Sequence, residues 1–535
     1  MKKAFLIVCI VLFAAGAYAA LASDSPDDRY VNRGKMSRAD REVIEGILNG
    51  IDPSRRYPPI DITNPLDGAL FPRDMASPDI TWRDENPGSL LWLVNVTFDK
   101  SEDTITYVAD KPVWTPDREA WDTIKERSRN GGARITVFGL DTRGEYIITG
   151  RGSILIATSE DPAGAPLMYL QMPLPFAYAQ AHPEEFRWCL ADLSSYTKPP
   201  VVLEGMPVCG NCHSFSKNGT VLGLDVDYRG DKGGYFLADV AENMAVTPGR
   251  VISWGTATQE ITGSPTFGFF PKVSPDGRYV AATVREKSFF VLRNETAFSQ
   301  FFFLAAGSIA WYSRSDGTFH LLPGAADPSY VQTCPDWSPD GRYVVYCRSP
   351  VDTDLVAIVD SKVLRNVDPE ISLAELNATY RITYDLYRIP FNDGRGGDPE
   401  PLAGASGNGM SNYFPRHSPD GKWIVFCKGA NGLALAPDSR LWIVPAGGGT
   451  ARELGANRGT MNSWHSWSPN GRWLVFSSKD QGPFTVFYLC HIDDEGRDSV
   501  PVLLSRLNGR NLTNLVPEFG NVAPDAIRHI GFRDS

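Results

Sequence analysis

The sequence predicts an all-β protein, and three observations carry that prediction. One pattern recurs four times: Phe270 to Thr283 (FPKVSPDGRYVAAT), Cys334 to Cys347 (CPDWSPDGRYVVYC), Phe414 to Cys427 (FPRHSPDGKWIVFC) and Trp464 to Ser477 (WHSWSPNGRWLVFS). Each copy joins an extended approach to an aromatic, β-branched strand through Ser-Pro-Asp/Asn-Gly. Proline presets φ, Asp or Asn bonds its own backbone and glycine takes the positive φ, so each copy reads as a hairpin. The second observation is composition: 49 Gly and 40 Pro beside 13 Trp and 20 Tyr suit short strands between tight turns. The third is strand-like patterning in runs such as Leu90 to Phe98 and Ala133 to Gly139, which alternate over Val94 to Phe98 and Ala133 to Val137 as sandwich strands do.

From the N-terminus, Met1, Lys2 and Lys3 form a basic start, Ala4 to Gly16 is apolar, and Ala17-Tyr18-Ala19 is a small-x-small cleavage pattern. Residues 1–19 therefore read as a secretory signal, with a retained anchor as the alternative. Residues 20–56 contain one short amphipathic helix, Ser37 to Asn49, with Ser37 as its cap, Val43, Ile44, Ile47 and Leu48 on one side and Gly50 as its stop. Residues 57–150 read as a β-sandwich of immunoglobulin-like or fibronectin-like type, interrupted by a capped helix at Thr115 to Ser128, with Trp82, Trp92, Trp114 and Trp121 as core residues. Residues 151–199 connect two domains or complete a blade.

Residues 200–535 hold the repeats. Intervals of 64, 80 and 50 residues separate Ser274, Ser338, Ser418 and Ser468, room for a four-stranded propeller blade plus insertions. Ser214 to Leu224 is a degenerate fifth copy, aligned on Ser216. With one further, divergent blade the ring is expected to number six, five and seven being the alternatives.

Directly before that copy stand Cys209, Gly210, Asn211, Cys212 and His213, the CxxCH attachment sequence of a c-type haem. Two thiols at this spacing can each add to one porphyrin vinyl group while the next residue offers an imidazole to the iron. One covalent haem c on Cys209 and Cys212, with His213 as axial ligand, is the expectation. A zinc or redox reading of the pair competes with it, but zinc needs two further ligands and no second CxxC or closely spaced His pair supplies them. On the repeat alignment Met461, Met410 and His465 are candidates for the sixth iron position, an open site being the alternative. Of the other mature cysteines, Cys189, Cys334, Cys347, Cys427 and Cys490, Cys347 and Cys427 end equivalent strands and read as small core residues; the odd number and the lack of close pairs argue against a disulfide framework and leave room for one or two bridges at most.

The SPDG hairpins resemble those of TolB-like β-propellers, over roughly residues 200 to 535. That resemblance implies a six-bladed or similar ring whose approach segments lead toward the central channel, and it places the haem at or over a channel mouth. It implies no catalytic domain, since no GxSxG occurs. The motif falls inside a blade, unlike the all-α setting of common cytochromes c.

Formal charge is -11, or -13 once Lys2 and Lys3 are removed, which argues against nucleic acid or an anionic membrane as partner. No later stretch reaches the apolar length of a membrane span. The function expected is an exported, bacterial, periplasmic or extracellular monohaem cytochrome acting in electron transfer with a protein redox partner. The alternative is a protein- or polysaccharide-binding scaffold of TolB type with a structural or sensory haem; a haem enzyme is a third, weaker option.

Overall fold

The computed structural model describes residues 38–52, 54–129, 131–143, 146–206, 212–255, 266–360 and 367–533. The expected signal, Ser37 and Cys209 lie outside the described residues. The chain divides into two compact units, Met1–Pro162 with Val500–Leu503, and Ala163–Ser499 with Leu504–Ser535.

In the first unit, a five-stranded sheet has the order Ala69–Phe71, Ile147–Thr158, Ala133–Asp141, Leu91–Phe98, Ser101–Ala109, and a three-stranded sheet the order Asp61–Asn64, Ile80–Arg83, Val113–Trp114. Helix Arg38–Asn49 lays Ile44, Ile47 and Leu48 on Leu93, Phe138 and Leu140. Val43 is exposed instead, because it falls off the side that meets the sheet. A second helix, Arg118–Ser128, starts at Asp117, whose carboxylate accepts from the Ala120 N–H at 2.9 Å. Trp82, Trp114 and Trp121 are buried, and Trp92 is half-buried with its indole on Asp84. Strand Ile147–Thr158 runs straight through residue 150, so the unit ends at Pro162 and not at the predicted boundary.

The second unit is a β-propeller. It holds four four-stranded antiparallel sheets and one eight-stranded sheet, in which a single parallel bridge, Gly307 to Val331, joins two antiparallel runs; with those two runs taken separately there are six groups, and their innermost strands neighbour one another in a closed order. Blade 1 is built from both ends of the unit. Its inner strand is Thr513–Phe519, paired antiparallel with Leu167–Met172, followed outward by Arg187–Ala191 and Val201–Glu204. The segment left open as connector or blade therefore supplies blade strands, and the propeller begins near Ala163 rather than at residue 200. The other inner strands are His213–Phe215 (blade 2), Phe269–Val273 (blade 3), Tyr330–Trp337 (blade 4), Ser411–His417 (blade 5) and Asn462–Trp467 (blade 6).

The repeat motif works as its chemistry predicts. Ser216, Ser274, Ser338, Ser418 and Ser468 each donate through Oγ to the Asp or Asn two residues on, at 2.6–2.7 Å. Each also accepts from the N–H five residues on, at 2.9–3.0 Å. Glycines 219, 277, 341, 421 and 471 sit at φ between 70° and 74°. The degenerate turn at Ser216 shares this geometry in full, with Asn218 standing for Asp. No helix among the described residues is long and apolar enough to cross a membrane.

Candidate functional site at the propeller channel

Four residues before each turn serine the inner strand bulges, and the pairing register shifts there in blades 3 to 6. The residue at the bulge has positive φ although it is not glycine: Phe270 55°, Cys334 52°, Phe414 52°, Trp464 24°, with Val516 at 49° in blade 1. Such backbone costs about 1–3 kcal/mol at each place and persists only where packing over-determines it. Here it turns five side chains, with Cys212 of blade 2, into one collar around the channel. The space left within the collar is a cavity of 40 Å³, enough for little more than a water.

Cys212 thus borders the closed channel, its thiol free and pushed far above the ordinary range by burial. Its N–H donates to Asp225 Oδ2 at 3.0 Å. Burial raises that carboxyl to about 7, with the Cys212 N–H opposing the shift. His213 is fully buried, and its Nε2 lies 3.2 Å from the Met168 carbonyl of blade 1. Burial lowers it to about 4, so the ring is neutral at physiological pH, and Nδ1 has no hydrogen-bond partner.

His465 occupies the same place two blades away, with blade 1 between them. Its Nε2 lies 3.0 Å from the Val425 carbonyl of the preceding blade, and its Nδ1 is likewise unpartnered. In the other blades this position is proline: 271, 335, 415 and 517. Both histidines therefore staple a blade to its predecessor. Met461 is fully buried in the cluster that contains Met168, Met206 and Trp464. Met410 is half-buried and lies outside that cluster, its N–H on Asn408. Of the three candidate iron ligands, only Met461 shares the core next to His213.

Burial pulls His465 down to about 3. Its unfolded value is near 6.5, so below that pH the unfolded chain binds a proton that the fold rejects, and stability falls with acidification until about pH 3. A slope of about 1.4 kcal/mol per pH unit between roughly pH 4.5 and 6 is expected from this one side chain. His465→Gln should flatten the urea-unfolding profile by that amount. Parallel profiles for both proteins would show that the imidazole is not held neutral.

Two residues before each turn stand Ser214, Lys272, Asp336, Arg416, Ser466 and, in blade 1, Glu518, which together line the channel on the turn side of the collar. Lys272 Nζ meets Glu518 Oε2 at 2.8 Å; Arg416 meets Asp336 at 3.1 Å and Glu518 at 3.8 Å. Burial raises the Glu518 carboxyl, but Lys272 and Arg416 outweigh it and hold it below its ordinary value. Burial, reinforced by the Arg416 charge, draws the Lys272 ammonium down, while Glu518 pulls it back. The acceptors also stitch neighbouring blades. Glu518, Ser214, Asp336 and Ser466 accept from the N–H groups of Phe215, Val273, His417 and Phe519 in the next blade. Where a cation stands instead, the next blade brings a tryptophan whose indole donates to the cation's own carbonyl: Trp337 to Lys272 at 2.9 Å and Trp467 to Arg416 at 3.3 Å.

Sequence reasoning missed this ionic ring. Its signal was the alternating charge in FPKVS, CPDWS and FPRHS, three copies whose shared turn drew the eye from the residue two before it. Toward the turns the ring opens into a cavity of 590 Å³ with a proline rim.

No protein-family model matches the chain, and no curated protein matches it. Among solved structures it is similar to TolB from Acinetobacter baumannii (14% identity, 73% of this chain and 79% of that chain, TM-score 0.41). It is also similar to oligogalacturonate lyase from Vibrio parahaemolyticus (14%, 58% and 71%, 0.35) and to Kuenenia stuttgartiensis hydrazine synthase (13%, 57% and 81%, 0.29). Likeness at this level carries no statement about activity.

Proposed function

We propose that this chain is an exported propeller scaffold that carries one c-type haem on Cys209 and Cys212, with His213 as an axial ligand, and that it exchanges electrons with a protein partner. The observation that carries this reading is CxxCH at the entry of an inner propeller strand. The donor chemistry on the described side suits the group: Cys212 is a free thiol and His213 a neutral imidazole. When bound, the haem supplies one-electron exchange. The chain's part is to hold it by two thioethers and to offer a ring nitrogen of His213. Ligation through Nε2 competes with the Met168 carbonyl for the same atom, and Nδ1 is the nitrogen without a partner. The 40 Å³ inside the collar leaves no room for a porphyrin within the channel at the level of Cys212, so this reading has the haem outside it.

The test is export in cells with c-type maturation machinery, followed by haem staining of a denaturing gel. The wild type should stain, and Cys209→Ala or Cys212→Ala should reduce or abolish the signal. A wild type without haem would sink the proposal. On stained protein, Met461→Ala, Met410→Ala and His465→Ala identify the sixth ligand by which one removes or shifts the near-infrared charge-transfer band; no change in any of them means an open or different site. A binding scaffold with a sensory haem is the second reading, favoured by the 590 Å³ cavity on the far side of the collar.

A further inference from the structure

We infer that the turn-side mouth of the channel is a second binding site, selective for a small molecule that carries one carboxylate, with Lys217 as its entry residue. The inference rests on the propeller alone and stands whether or not a haem is attached.

Lys217 replaces the proline that follows the turn serine in blades 3 to 6. Its backbone stays in blade 2, but its ammonium crosses the mouth to the Pro419 carbonyl at 3.0 Å and the Pro339 carbonyl at 3.5 Å, in blades 5 and 4. It meets no carboxylate among the described residues. Beneath it, donors outnumber acceptors. Asp336 already takes the Arg416 guanidinium, the His417 N–H and His417 Nδ1, and Glu518 takes Lys272 and the Phe215 N–H. Lys272 has three ammonium protons and one hydrogen-bond acceptor; Arg416 has five N–H groups and one side-chain hydrogen bond, to Asp336.

The unused capacity is therefore donor capacity, which calls for an acceptor-rich ligand. Charge sets its valence. Four carboxylates line the mouth; Asp276 and Asp340 each pair with the arginine two residues on, Arg278 and Arg342, while Asp336 and Glu518 face the three cations Lys217, Lys272 and Arg416, so one negative charge balances this inner group and a dianion overshoots it. A volume of 590 Å³ falls within the range of small-molecule pockets, about 300–1,000 Å³. The proline rim offers apolar edges to the body of such a ligand.

Calorimetric titration with benzoate, its neutral isostere benzamide and the dianion phenylphosphonate tests the inference on the full chain. Benzoate should bind saturably, with benzamide weaker by about tenfold or more, the loss expected for charge-assisted hydrogen bonds. Lys217→Met keeps the aliphatic stem and should weaken benzoate by about tenfold without moving the melting temperature, while Lys100→Ala in the first unit should leave it unchanged. Absence of benzoate binding, equal binding of benzamide, or an unaffected Lys217→Met overturns the site. Tighter binding of phenylphosphonate overturns the monoanion assignment. The same titration on Cys209→Ala/Cys212→Ala protein should give the same affinities, which separates failure here from failure of the haem proposal.

Discussion

Glu518→Ala should cost the propeller about 3–5 kcal/mol, the loss typical of removing one partner from a buried ion pair. Three groups depend on this carboxylate: the Lys272 ammonium at 2.8 Å, the Arg416 guanidinium at 3.8 Å and the Phe215 N–H at 2.9 Å. Truncation leaves Lys272 as a buried cation with no carboxylate and Phe215 with a buried donor lacking its acceptor, and each of those is penalised separately. Glu518→Gln keeps an acceptor for Phe215 but not the charge, so it should fall between wild type and alanine. Urea unfolding checks this ordering, and a loss below 1 kcal/mol for the alanine variant would mean that water reaches Lys272. Because the pair is buried, raising the salt concentration should change the difference little.

Deleting residues 508–535 should abolish the cooperative fold of the second unit. Thr513–Phe519 is the inner strand of blade 1, and all seven of its residues are buried. Its partner Leu167–Met172 is buried throughout as well. Without the C-terminal strand a buried six-residue edge loses its ladder, the closed order of inner strands is broken, and Glu518 goes too. The parallel pairing of Asn243–Val246 with His529–Phe532 is lost in the same cut. Expression of the truncated chain should give aggregated protein or protein without a sharp unfolding transition, and co-expression of the 508–535 segment should recover soluble material. A truncated chain that unfolds at the wild-type midpoint would show that the ring does not need closure by its C-terminal strand.

What the sequence determined alone is local. Ser-Pro-Asp-Gly encodes its turn within a few bonds, so five hairpins, including the one at Ser216 with Lys and Asn in place of Pro and Asp, were legible without any partner. The second helix of the first unit belongs to the same class, although it starts at Arg118 with Asp117 as its cap and not at Thr115, and so does the alternation toward the end of Leu91–Phe98. CxxCH is also local, since its chemistry depends on spacing along one loop. Everything that rests on distant strands was decided by the tertiary structure. Blade 1 has no SPDG turn, and its inner strand lies more than three hundred residues from Leu167–Met172, so no period could reveal the pairing or the true start of the propeller. His465 looked like a ligand candidate in the sequence; closure of the ring puts its Nε2 on the Val425 carbonyl. Lys272, Asp336, Arg416 and Glu518 are ordinary charges when read singly. They become a buried ionic ring because Lys272, Asp336 and Arg416 each stand two residues before a turn serine and Glu518 holds the matching place on blade 1, and only a closed propeller brings those positions to one axis, where partners satisfy charges that none could bury alone.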